Sequence, residues 1–259
     1  MGRLWMQLAA LACSTALLSG CASAQSITPF DPDKIVLLQF EEMNPGEEIA
    51  LVDTSAGQFT LRFFPSEAPA TVEHFLDLVK DGRLDGKQVE PAFLDSSLGN
   101  TQSVPESDMA AGVVVGRKKS LPWKREISYN LGPFPGAVSL YQPEDKDQVG
   151  FLIFGSRQVP QDILDQLEEA NYPDEVVDRF ESCGGYPEFW LNSAIFAQVI
   201  DGMETVDAIL QKLSSEEPIQ IRTVTLSHYG EGDASLTEGA SADAQSELTV
   251  ESSSLLAVG

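Results

Sequence analysis

Positive charge is what this chain has least of. Its 259 residues carry 16 Lys+Arg against 40 Asp+Glu, a formal net charge of −24. A nucleic-acid partner needs a basic stripe to neutralise phosphates, and only Arg117-Lys118-Lys119 forms a basic knot. Nucleic acid is therefore excluded, and a charge-selected partner would be basic or neutral. Histidine is nearly absent as well. His74 and His228 are the only two, and no paired histidines, glycine-rich phosphate loop or Ser/His/Asp spacing signals a metal, a nucleotide or a nucleophile. The three cysteines are Cys13, Cys21 and Cys183, too few for a disulfide framework. Long apolar runs are missing too, since Leu8–Leu18 is too short to span a bilayer and remain there.

The two ends are read separately. Residues 1–21, MGRLWMQLAALACSTALLSGC, have a positive start at Arg3, an apolar core and small residues before a cysteine. Leu18-Ser19-Gly20-Cys21 resembles a bacterial lipobox, which implies acylation of Cys21 and attachment to the cell membrane through the lipid. The alternative is plain secretion with cleavage after Ala22-Ser23-Ala24. Both make the mature protein exported, and acylation of Cys21 leaves Cys183 without an intrachain disulfide partner, as a half-buried apolar residue. Residues 22–46 read as a polar linker in which Ile35-Val36-Leu37-Leu38 could add an edge strand. Residues 231–259 are Ser/Ala-rich and acidic, contain no Lys or Arg, and read as a disordered tail.

Between them, 47–230 reads as one domain. Ile49–Asp53 is an apolar run and Thr54-Ser55-Ala56-Gly57 a turn. In Gln58–Phe64 the residues Phe59, Leu61 and Phe63 alternate with polar ones, predicting a β-hairpin. Pro69 opens and Gly82 follows a helix over 69–80, whose apolar stripe is Val72, Phe75, Leu76 and Val79. Further helices are expected over Gln161–Glu169, Pro173–Cys183 and 203–213, and strands over Gly136–Leu140 and Ile219–Leu226. The alternation of the last strand changes phase near Arg222, which predicts a bulge.

The run DTSAGQFTLRFFPSEAPATVEHFLDLVKDGRLDGKQVEPAF resembles the opening of cyclophilin-type peptidyl-prolyl isomerases, ETSMGTIxLxLFPxxAPKTVENFxxLxxxGYYDGxxFHRVI. The likeness continues through most of Ile49–Gly230. It implies a mainly β fold, a closed antiparallel barrel with two capping helices and a short inserted helical segment. It also implies no cofactor, and partners that are proline-containing segments of exported proteins. Leu140-Tyr141-Gln142, Phe151-Leu152-Ile153 and Trp190-Leu191 stand where the family lines its groove. The residues Phe151-Leu152-Ile153 read mostly as core strand, with one of them in the pocket. His74, at a family asparagine, reads as a capping or surface residue. Gly112–Lys119 is expected as a loop.

The chain departs from the family where the chemistry lies. Prolyl isomerisation breaks no bond. Its barrier of about 18–20 kcal/mol is lost amide resonance, and the family's arginine donates a hydrogen bond to the twisted nitrogen. Here Val89-Glu90-Pro91 replaces Phe-His-Arg, so Pro91 occupies the arginine's position and no catalytic residue is assigned. Ser96-Ser97-Leu98-Gly99 replaces Phe-Met-x-Gln. The expectation is an isomerase with weak or lost turnover, or a non-catalytic proline-binding or scaffold module. A guanidinium from Arg117, Arg125 or Arg157 would have to compensate.

Overall fold

The computed structural model describes residues 26–27, 35–93, 109–116, 125–141, 148–213 and 218–230. Cys21, Ser96–Gly99, Arg117-Lys118-Lys119, Gln142 and the tail 231–259 lie outside the described residues.

The hairpin forms as its alternation predicts. β2 (Glu48–Thr54) pairs antiparallel with β3 (Gly57–Phe63) through Thr54↔Gly57. Thr54 Oγ1 clamps the turn, accepting from Ala56 N at 3.1 Å and donating to Gly57 O at 2.7 Å. Helix α1 (Pro69–Lys80) buries Thr71, Val72, His74, Phe75, Leu78 and Val79. His74 is thus neither cap nor surface residue. It lies three residues after Thr71 and four before Leu78, on the apolar stripe, and its ring stands 6.4 Å from Phe151.

Eight strands close the barrel. With β4 (Gln88–Phe93), β5 (Met109–Gly116), β7 (Ala137–Tyr141), β8 (Gln148–Ile153), β9 (Ala194–Asp201) and β10 (Ile219–His228), the order is β10-β2-β3-β9-β7-β8-β5-β4. All pairings in the barrel are antiparallel. The closing seam between β10 and β4 is short, Ile219↔Val89 and Gln220↔Gln88. Pro91 falls beyond that seam, where a missing N–H breaks no bond to β10. The β10 register shifts between Ile221 and Thr223, a bulge at Arg222. Gly112–Gly116 belongs to strand β5 rather than to a loop, because Gly112, Val113, Val114 and Val115 pair with β8. A two-stranded parallel pair, β1 (Ser26–Ile27) and β6 (Glu126–Ile127), lies apart from the barrel sheet.

Three clusters hold the fold. The largest fills the barrel beneath α1 and α4 (Met203–Lys212), with Phe75, Phe151 and Phe196 in mutual ring contact at 5.1–5.5 Å. A second packs Phe64, Leu131, Phe154 and Tyr186 against the outside of the sheet. The third lies under α2 (Gln161–Glu169) and α3 (Asp174–Cys183), around Phe134, Phe180 and Trp190. Ile35 and Leu37 are buried in this third cluster, so the chain is docked well before residue 47. Leu38–Phe40 forms a 3-10 turn where an edge strand was expected.

Two polar fastenings complete the frame. Ala68 gives α1 no side-chain cap; instead Glu126 accepts from Ala70 N at 3.2 Å, Thr71 N at 2.9 Å and Thr71 Oγ1 at 2.8 Å. Arg62 donates to Glu47 at 3.1 Å and to the Glu41 carbonyl at 2.7 Å, tying the incoming chain to β3. Burial alone would raise the Glu47 carboxyl. Hydrogen bonds from Asn44 and the charge of Arg62 outweigh it and bring the group below its ordinary value.

Candidate functional site

Side chains alternate across a strand, so each barrel strand has an inward and an outward set. On β5, β8 and β7 the inward set includes Ala111, Val113, Phe151, Ile153, Val138 and Leu140, all in the barrel cluster. The outward set includes Ala110, Leu152 and Ala137. This separates the residues that sequence grouped together. Leu140, Phe151 and Ile153, expected along a groove, are barrel interior, and Leu152 alone of the triplet faces outward. Tyr141 ends β7 opposite Gly150. Trp190 is buried on Phe180 and Tyr172, with centroids 5.7 and 5.9 Å away, and Leu191 packs on the same helical cluster with φ of 61°.

The register assembles one continuous outer row. Glu90 on β4 pairs with Gly112, Gly112 with Leu152, Leu152 with Ser139, and Ser139 with Ile195. Leu152, Ser139 and Ile195 are buried, whereas Glu90 is exposed. Pro91 pairs instead with Ala111, an inward residue, and has the strand parity of buried Val89. The outward position of β4 beside Gly112 therefore belongs to Glu90.

The arginines named as substitutes are engaged elsewhere or undescribed. Arg157 donates to Gly185 O at 3.1 Å and Glu188 at 2.7 Å, and lies 4.2 Å from the Tyr186 ring. Arg125 donates to the carbonyl of Asn192, in the connection preceding β9, and burial lowers its pKa from the ordinary value. The row itself carries one carboxylate and no cation.

Other chemistry finds little footing. Cys183 donates its thiol to Arg179 O at 2.9 Å. Burial pushes that thiol up, against the opposing charge of Arg179, and a protonated thiol is a poor nucleophile. Among the described residues no group of three or more His, Cys, Asp or Glu is placed to hold a metal ion. A void of about 50 Å³ inside the barrel is lined by apolar groups including Phe59, Phe75, Phe151, Ile153, Val206 and Ile209. Without polar partners a water gains nothing there, and the void reads as a packing gap.

A β-barrel with an outer row of this kind defines a class, and comparison with known proteins names it. The family described as cyclophilin type peptidyl-prolyl cis-trans isomerase/CLD matches residues 49–230. The chain belongs to that family. A Staphylococcus aureus (strain USA300) protein bearing the name "Putative peptidyl-prolyl cis-trans isomerase" is 28% identical over 172 residues, 65% of this chain and 84% of the relative. A Staphylococcus saprophyticus protein of the same name is 24% identical over 188 residues, 71% of this chain and 92% of its own. Among solved structures, a Cryptosporidium parvum cyclophilin type peptidyl-prolyl cis-trans isomerase, crystallised in the presence of the dipeptide Ala-Pro, is 14% identical. That match has a TM-score of 0.42 and covers 69% of this chain and 98% of that one.

Proposed function

We propose that the domain takes proline-containing segments of exported proteins and isomerises them weakly or not at all. The observation that carries this reading is the outer row, in which a carboxylate, Glu90, occupies the β4 position and no guanidinium is present. As the amide twists, nitrogen regains a lone pair and rewards a hydrogen-bond donor. An ionised carboxylate only accepts. It gives the twisted state nothing and repels the lone pair. Loss of one preorganised donor costs roughly 3–4 kcal/mol, about a hundred- to a thousandfold in rate.

The same carboxylate favours a second reading, a non-catalytic proline-binding or scaffold module at the cell surface. A coupled proline-peptide assay on the wild type, Glu90→Arg and Pro91→Arg separates them. Measurable wild-type turnover that rises when a guanidinium is supplied supports the isomerase. Turnover at the uncatalysed rate in the wild type, with peptide binding retained, leaves the binding module.

We further propose that Cys21 is acylated and tethers the exported domain to a bacterial membrane. Stable anchoring needs more than one acyl chain, and a lipidated N-terminal cysteine supplies them. Incorporation of a fatty-acid label that is lost in Cys21→Ala tests it. Release into the medium without label would support plain secretion.

A further inference from the structure

The outer face of the sheet is covered by the chain itself. Leu152, Ala137 and Ile195 share their cluster with Tyr186, and Phe189 packs against it. Phe154 continues the outward parity of β8 after Leu152, and its ring stands 5.1 Å from Tyr186 and 6.3 Å from Phe189. Between these two aromatic residues lies a proline of the chain's own, the buried Pro187, which opens the 3-10 turn Pro187–Phe189.

This part of the cover is built differently from the barrel. Gly184 and Gly185 precede it with φ of 78° and 130°, and Leu191 follows at 61°, a left-handed value that strains a leucine. Its backbone bonds run to loops and to itself. Gly185 N donates to Arg157 O at 2.8 Å, Tyr186 N to Pro133 O at 3.0 Å and Trp190 N to Pro187 O at 3.0 Å. None of those partners lies in a barrel strand. At its far end Trp190 Nε1 is buried with no acceptor among the described residues, a cost borne by this closed arrangement. One side chain fastens the segment from outside. Arg157 donates from Nε to Gly185 O and from Nη2 to Glu188, and its guanidinium lies over the Tyr186 ring.

We propose that Tyr186–Phe189 is an autoinhibitory flap, hinged at Gly184-Gly185 and latched by Arg157. It holds Pro187 and two aromatic rings over the outer face, and swings away before a proline segment of another protein binds. The inference rests on the reading that the domain takes proline segments, and adds what controls their access. The latch is one part-exposed ion pair and one cation–π contact, so its removal raises the open population by about five- to twentyfold. While the open form stays minor, apparent affinity rises by the same factor.

The rival explanation is a fixed cover that never opens, in which Arg157 only adds stability. The test is titration of the full-length wild type, Arg157→Ala and Glu188→Gln with Ala-Ala-Pro-Phe capped at both ends, with amide exchange followed at Gly185 and Tyr186. Affinity should rise about five- to twentyfold in Arg157→Ala and about two- to threefold in Glu188→Gln, with faster exchange at both amides. Saturating peptide should speed the same exchange in the wild type. Glu188→Gln removes only the ion pair, so the comparison survives poor folding of Arg157→Ala. Equal affinity in all three proteins, or exchange that neither substitution nor peptide alters, overturns the inference alone. Faster exchange in the variants with no peptide bound by any of the three proteins overturns the proline-segment reading and the inference with it.

Discussion

The two faces of one strand tell different histories. Along β8 the inward residues Val149, Phe151 and Ile153 are apolar and pack into the barrel. The outward residues Gly150 and Leu152, with Glu90 and Gly112 on the neighbouring strands, carry neither a cation nor a side-chain amide. Because side chains alternate with a period of two, the inward set holds the fold without reference to the outward set. The packing of the barrel is therefore set apart from whatever its outer face carries. Arg62 and Glu126, by contrast, are polar groups whose work is to fasten backbone segments.

Inward substitutions should accordingly cost stability and outward ones function. The largest effect is expected for Phe196→Ala, since Phe196 is fully buried between Phe75 and Phe151. A loss of about 3–5 kcal/mol is expected in chemical denaturation. A loss below about 1 kcal/mol would contradict the place of Phe196 at the centre of the barrel core. Next comes Glu126→Ala, which strips three acceptor contacts from the start of α1. A loss of about 1–3 kcal/mol is expected, with early hydrogen exchange at Ala70 and Thr71. Unchanged exchange there would assign the capping elsewhere.

Smaller still is a pH effect at Glu47. Its carboxyl is held below the ordinary value, so its contribution to stability is present above the unfolded-state pKa. It is lost as pH falls through the folded-state pKa. Acidification through the ordinary carboxylate range and below should loosen the strap that Arg62 ties, and Glu47→Gln should remove that part of the acid dependence. Identical acid titrations of the two proteins would contradict it. Least of all should Glu90→Gln affect folding. An exposed strand residue with no partner among the described residues is expected to change stability by no more than about 0.5 kcal/mol, and a larger loss in chemical denaturation would contradict that.

Much of the fold could be read from the sequence because it rests on local periodicity. The hairpin turn at Thr54–Gly57, α1 beginning at Pro69 and the bulge at Arg222 each announce themselves within a few residues. His74 was misplaced because a histidine in a helix looks polar, whereas its spacing from Thr71 and Leu78 puts it in the stripe. β5 escaped notice because Gly112 looks like the start of a loop, and only long-range pairing with β8 makes it a strand. The groove was the least readable part. Which residues of β4 share a face with Gly112 depends on the register with β5, a long-range pairing. Trp190 likewise follows the family in sequence, but α2 and α3 cover it, burying it against Phe180.

The central claim is that this cyclophilin barrel persists while its outer row lacks the cation that eases rotation. Proline-peptide turnover in the wild type, set beside Glu90→Arg, tests it most directly. The account predicts a wild-type kcat/KM at least about a hundredfold below that of family members which keep the arginine, rising in the Arg variant without loss of stability. Full family-level turnover in the wild type, unaltered at position 90, would contradict it.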